Sequence, residues 1–249
     1  SFLPAEAFRL APDVHALVML PTYNEAENLP QMVPRILEQP GGFGVVVVDD
    51  ASPDGTGALA DQLAQAHPGR VVVLHRSERG RGTAGIAGFA CALGLRVPYL
   101  LEMDADFSHD PADLPRLLQA CQAGADVAIG SRYVPGGRQL ERSWWRRLVS
   151  VAACTIYRVI LGSPIRDLSG GFKCYRRVAM AALAWGRFYS TGYAIGMETV
   201  FRQQRLGFHM VELPITFADR RFGRSKFRPR EAAGCLWVAL RLAVALGRG

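Results

Sequence analysis

VVVVDDASPDGT, residues 45–56, decides how the first half of the chain is built. Four valines followed by two aspartates read as a strand that runs into a polar turn. The valine run is too uniform to alternate between a dry and a wet face, so it suits a strand covered on both sides. Strands of that kind belong to mostly parallel sheets with helices packed on each face. Working outward, HALVML (15–20) reads as the preceding strand, with a helix from Glu25 to Gln39 between the two. A helix from Pro53 to His67 follows, then strands at RVVVLH (70–75), YLLEMDAD (99–106) and ADVAIGSR (125–132), with helices at 83–96 and 111–123.

The pattern changes after Gly137. Helices are expected at 143–161 and 194–206, and the Gly-rich DLSGGFKCY (167–175) fits a strand or a loop. VELPITF (211–217) reads as one more strand, RRFGRSKFRPR (220–230) as a basic loop, and 231–247 as a helix lying on the protein or on a membrane surface. The expected fold class is α/β with a mostly parallel central sheet in a single domain.

The 249 residues, 49% of them apolar, can bury a full core. The net charge of +7 is unevenly spread: residues 1–131 carry −8 and residues 132–249 carry +15. An acidic half suits metal binding, and a basic half suits phosphates, nucleic acid or an anionic membrane. None of the recognised nucleic-acid modules is visible in this order of elements, so no nucleic acid is expected as partner. The five cysteines are widely spaced, without a C-x-x-C pair, and fit buried apolar roles in a reducing cytosol. The N-terminal stretch lacks the apolar core of a signal peptide. Arg158 and Arg241 interrupt the two longest apolar runs, 148–161 and 235–246, and both fall short of the roughly 20 residues a spanning helix needs.

In open α/β sheets ligands bind beyond the carboxyl ends of the strands. Three polar segments sit there: PTYNE (21–25), DDASPDGT (49–56) and DADFSHD (104–110). Asp104 and Asp106 stand at i and i+2, and in an extended segment such residues project to one face. Two neighbouring carboxylates repel, and a hard divalent ion such as Mg²⁺ or Mn²⁺ is their natural partner. The alternative is a solvated turn with Asp110 as helix cap. Asn24 could likewise cap the helix after it, or Tyr23, Glu25 and Asp50 could meet a base or ribose. In the basic half, Arg146 and Ser150 are i, i+4 neighbours and would share a helix face, a plausible grip for a phosphate.

PTYNE, VVDDASPDGT, MDADFSH, GSRYVPGG, DLSGGFKCY and ITFADRRFGRSKF occur together and in order. Across residues 14–230 this set resembles the polyprenol (dolichyl) phosphate mannose synthases of the GT-A family-2 glycosyltransferases. The resemblance implies a Rossmann-like GT-A fold and transfer of mannose from GDP-mannose to a polyprenyl phosphate with inversion. It implies a donor site of Pro21, Tyr23, Glu25, Val48, Asp50, Asp104, Ala105, Asp106, Arg132, Arg220 and Lys226. Asp104 and Asp106 would hold the metal, Mg²⁺ or Mn²⁺, and Asp106 and Arg132 would be catalytic. Arg132, Arg146 and Ser150 would meet the acceptor phosphate, and His109 would be a surface or supporting residue. Glu102 has no expected role. On this reading residues 1–13 are an N-terminal extension, 14–135 a nucleotide-sugar and metal-binding half, and 136–249 a basic acceptor-binding half ending in an amphipathic helix. The expected location is peripheral, on the cytoplasmic face of a membrane, with a membrane-anchoring partner protein as one way of holding it there.

Overall fold

The computed structural model describes residues 8–77, 79–140, 144–190, 192–218 and 229–247; for 145–147 and 229–230 it describes the backbone alone. Strands β1 (Ala16–Thr22), β2 (Phe43–Asp49), β3 (Val71–His75), β4 (Tyr99–Glu102) and β5 (Val127–Ser131) come from the first half. The second half adds β6 (Arg138–Gln139), β7 (Lys173–Arg176), β8 (Met210–Pro214) and β9 (Thr216–Phe217). Seven of them form one sheet in the order β3-β2-β1-β4-β7-β5-β8, and β6 pairs with β9 in a small second sheet. Every neighbour in the large sheet is parallel except β7, which runs antiparallel to both β4 and β5. The two halves read from the sequence therefore share a single sheet.

The helices are α1 (Leu29–Leu37), α2 (Thr56–Ala66), α3 (Arg81–Gly94), α4 (Leu114–Gln122), α5 (Trp144–Leu161), α6 (Arg177–Ala181), α7 (Ile195–Arg205) and α8 (Pro229–Leu246). All seven residues of β2 are buried. Val45 and Val47 enter the core under α1 and α4, whereas Val46 and Val48 enter the core that contains α3. Each buried valine contributes about 1.5–3 kcal/mol, so the strand is anchored from both faces. Helix α3 approaches closely because Gly88 has no side chain: a Cβ there would lie 2.5 Å from Met19 Cγ and 2.8 Å from Val48 Cγ2.

Several expected boundaries shift for identifiable reasons. The first helix begins at Leu29, with Pro30 in its first turn, rather than at Glu25. Asn24 is not its cap: it has φ of 57° and its backbone N–H donates to Ser52 Oγ at 3.0 Å. The strand expected over 99–106 ends at Glu102, so the alternation assigned to Asp104 and Asp106 does not apply. Phe107, with φ of 61°, turns the chain, and Asp110 accepts from Ala112 N at 3.0 Å as the expected cap. DLSGGFKCY divides into a loop and β7. VELPITF splits at Ile215, where Pro214 has no N–H to extend a ladder. The basic loop 220–230 lies outside the described residues up to 228.

The C-terminal helix lies on the protein. Cys235, Val238, Ala239 and Leu242 of α8 are buried in the same core as Tyr157 and Leu161 of α5. Its other face and that of α5 are apolar and exposed, with Trp144, Leu148, Val149 and Val159 on one helix and Trp237, Leu240 and Val244 on the other. No helix among the described residues is long and apolar enough to cross a membrane. All five cysteines are free, and four are buried.

Candidate active site

The carboxyl ends of β1, β2, β4 and β5 bring the polar segments to one edge of the sheet, where they form one group around Tyr23 and Asp50 and another around Asp104 and Arg132. In the first group, the Arg79 guanidinium lies over the Tyr23 ring at 4.5 Å. Glu25 N–H donates to Thr56 Oγ1 at 2.9 Å, tying PTYNE to the turn after β2. Asp50 is buried and accepts from Arg76 Nη1 at 2.6 Å and from Gly80 N at 2.9 Å. Burial lifts its carboxyl above the ordinary carboxylate value, and Gly80 and Arg76 pull it only part of the way back. Pro21 faces Val48 across the β1–β2 register. Val48 is fully buried against α3, and its carbonyl accepts from Thr22 Oγ1 at 3.2 Å, so its side chain belongs to the core.

In the second group the DAD segment is anchored in two ways. Arg81, the first residue of α3, places Nη2 2.6 Å from Asp104 Oδ1. Asp106 is buried and its Oδ1 accepts from Ser108 N at 3.1 Å and Ser108 Oγ at 2.6 Å. Ala105 between them is buried. His109 is buried rather than on the surface, stacked on Phe172 at 4.9 Å, and accepts at Nδ1 from Asp104 N at 3.4 Å. Burial depresses its pKa, outweighing the nearby Asp104 and Asp106 charges, so it stands neutral as a wall of the site.

Arg132 is held by a carboxylate on two sides of its guanidinium. Its Nε lies 2.7 Å from Asp167 Oδ2 and its Nη2 2.7 Å from Asp167 Oδ1, a bidentate fork, while its backbone N–H donates to Oδ2 at 3.0 Å. Nη2 also reaches Ser169 Oγ at 3.0 Å. Burial would push Asp167 up, but Arg132 overcomes this and holds the carboxyl below its usual value. Asp167 is itself fixed from behind, because the backbone N–H groups of Arg166 and Asp167 donate to Glu212 of β8 at 2.8 and 2.9 Å. Beside this fork the Tyr133 hydroxyl lies 2.6 Å from Ser150 Oγ, and burial raises its pKa, so it keeps its proton.

Glu102, without an expected role, receives the buried Lys173 Nζ at 2.8 Å and Tyr175 Oη at 3.2 Å. Lys173 also donates to the Gly170 carbonyl, which fixes the glycine loop beside Asp104. Sequence reasoning gave no role to Asp167, Tyr133, Arg81 or Lys173. Asp167 does carry a signal, as the only carboxylate of DLSGGFKCY. Of the expected phosphate ligands, Arg220 and Lys226 lie outside the described residues. So does the side chain of Arg146, although its backbone is in α5 as expected, one turn before Ser150.

The sequence model described as "Glycosyl transferase family 2" matches residues 17–183. The chain belongs to glycosyl transferase family 2. This glycosyltransferase is 50% identical over 218 residues to a polyprenol monophosphomannose synthase of Mycolicibacterium smegmatis, covering 86% of this chain and 82% of the relative. It is 44% identical over 214 residues to an undecaprenyl-phosphate mannosyltransferase of Micrococcus luteus, covering 86% and 87%. Among solved structures, a mannosyltransferase of Pyrobaculum calidifontis in complex with GDP-Man and Mn²⁺ superposes with a TM-score of 0.57 at 18% identity, covering 97% of this chain and 76% of the other. That likeness supports the GT-A fold expected of this family-2 transferase.

Proposed function

We propose that this glycosyltransferase moves mannose from GDP-mannose to the phosphate of a polyprenyl lipid, releasing GDP with inversion at the anomeric carbon. The observation that carries the reading is the 50% identity, across 86% of the chain, to a polyprenol monophosphomannose synthase. The geometry of the sheet edge agrees with it. An oxygen of the acceptor phosphate attacks the anomeric carbon while the bond to the donor's β-phosphate breaks and its electron pair leaves with GDP. A phosphate monoester with a second pKa near 6 is largely dianionic at neutral pH, so it attacks without a general base. A neutral His109 is consistent with that requirement.

The chain's work is then to place two anions together and to stabilise the leaving diphosphate. Arg132, immobilised by Asp167 and 5.0 Å from the Tyr133 ring, would offer its guanidinium to the substrates' phosphates. The hydroxyl pair would donate to the acceptor phosphate. Two aspartates at the end of β4 match the one or two carboxylates that Mg²⁺ or Mn²⁺ takes beside substrate phosphates and water. The described residues contain no cluster of three metal-holding side chains, so Asp104 and Asp106 would be the protein's ligands and the diphosphate would supply others. When bound, such an ion neutralises charge developing on the diphosphate.

The exposed apolar faces of α5 and α8 suit peripheral attachment to the cytoplasmic face of a membrane, where the lipid acceptor resides. A membrane-anchoring partner protein is the other route to that surface. Labelled GDP-mannose, incubated with polyprenyl phosphate and with or without Mn²⁺ or Mg²⁺, tests the function. Metal-dependent mannolipid formation is expected, and turnover only with a UDP-sugar would refute the donor assignment.

A further inference from the structure

Arg81 is not accounted for by the transfer chemistry above. It opens α3, and its Nη2 sits 2.6 Å from Asp104 Oδ1. Burial works against its charge, but Asp104, with help from Glu102, keeps it firmly protonated. The position is confined on one side. A Cβ on Gly171 would lie 3.0 Å from Arg81 Nη2 and 3.7 Å from Asp104 Oδ2, so the glycine loop is in contact with the pair and Lys173 holds that loop still. It is open on the other: the Arg81 side chain is 33% exposed, and its guanidinium carbon lies 5.6 Å from the Tyr193 ring, which offers a second seat.

A divalent ion on the same carboxylate would sit about 2.0–2.2 Å from its oxygen. A guanidinium 2.6 Å from that oxygen competes with the ion for the same carboxylate, and its charge opposes the ion's in a partly buried pocket. We propose that Arg81 is an exchangeable counter-ion: a divalent cation must displace it from Asp104, and the freed guanidinium then takes an oxygen of the donor's diphosphate. The consequence is linkage. Metal alone binds weakly, because only the fraction of molecules with Arg81 swung away is competent. Metal and diphosphate together bind well, because the diphosphate gives Arg81 a replacement partner. This rests on the reading of Asp104 as a metal ligand.

Mn²⁺ titration of the full chain, with free Mn²⁺ followed by electron paramagnetic resonance, tests the inference without requiring turnover. Arg81→Leu is expected to bind Mn²⁺ about tenfold more tightly than the parent chain. Arg81→Lys, with a shorter reach and no fork, is expected between the two, and carries the test should the leucine variant not fold. Saturating GDP, corrected for Mn²⁺ held by free GDP, is expected to bring the parent chain close to Arg81→Leu. Equal or weaker binding by both Arg81 variants, beside an Asp104→Asn chain that has lost binding, overturns the role of Arg81 and leaves the metal assignment standing. Undiminished binding by Asp104→Asn overturns both. A gap between parent and Arg81→Leu that GDP does not narrow overturns the transfer of the guanidinium to diphosphate.

Discussion

Replacing Asp167 by asparagine isolates the interaction on which the site's fixed charge depends. Asp167 is fully buried and the Arg132 side chain is 9% exposed, and the two share a bidentate fork with both contacts at 2.7 Å. Asparagine keeps the shape, removes the charge and turns one acceptor into a donor facing the guanidinium. Leaving one member of a buried pair uncompensated costs about 3–5 kcal/mol. At roughly 2 °C per kcal/mol for a chain of this length, Tm should fall by about 6–10 °C. Scanning calorimetry on Asp167→Asn, Arg132→Met and the double variant at neutral pH gives the comparison. The double variant should lose at least about 1 kcal/mol less than the sum of the singles, because removing both partners leaves no orphan charge. Strictly additive losses would refute the fork as a coupled unit.

The pH dependence has a definite sign. With its folded pKa held below the unfolded value of about 3.9, Asp167 adds stability that is present above that value. The contribution disappears as pH falls through the lower, folded value. The parent chain should therefore lose more stability on acidification than Asp167→Asn does.

Tyr133→Phe should raise KM for polyprenyl phosphate about tenfold, the loss of one hydrogen bond to a charged group, and leave KM for GDP-mannose unchanged in steady-state kinetics. Trp237→Ala with Val244→Ser, both on the exposed face of α8, should weaken sedimentation with anionic lipid vesicles while Tm stays within about 1 °C. Leu242→Ala on the buried face should do the reverse, with a loss of about 2–5 kcal/mol in urea unfolding. Gly88→Ala should cost about 1–3 kcal/mol, because the new methyl group overlaps Met19 and Val48.

The parallel half of the fold was legible because burial on both faces leaves its mark in composition: VVVV splits two and two between the cores. The antiparallel β7 was legible only in part: DLSGGFKCY fits a strand or a loop, but nothing in it gives the strand's direction or its place in the sheet. Lys173 opens it, and a charged residue at 0% exposure contradicts any rule that reads burial from apolarity. The carboxylate of Glu102, 71 residues earlier in the chain, and the Gly170 carbonyl make that lysine tolerable. The site divided along the same line. Strand-end placement pointed to Asp104 and Asp106, whereas the ties of Asp167 to Arg132 and of Arg81 to Asp104 are tertiary pairings with no local signal. The i, i+2 argument for DAD failed because Phe107 and the Asp106–Ser108 bonds favour a turn over an extended segment.

The central position of β7 also governs the order in which the molecule can come together. Strands β4 and β5 are separated by 24 residues of chain between Glu102 and Val127, yet neither pairs with the other; each pairs with β7. During synthesis, a nascent chain that has emerged only to Ser131 holds two strands whose shared edge partner does not yet exist. Until Arg176 clears the ribosome, β4 presents an unpaired apolar edge and β5 lacks its anchor in the sheet. The Tyr23–Asp50 end of the site can mature early, on β1, β2 and β3. The Asp104 end cannot, and a chain cut after Ser131 would carry the Asp104–Asp106 segment without the glycine loop that touches it.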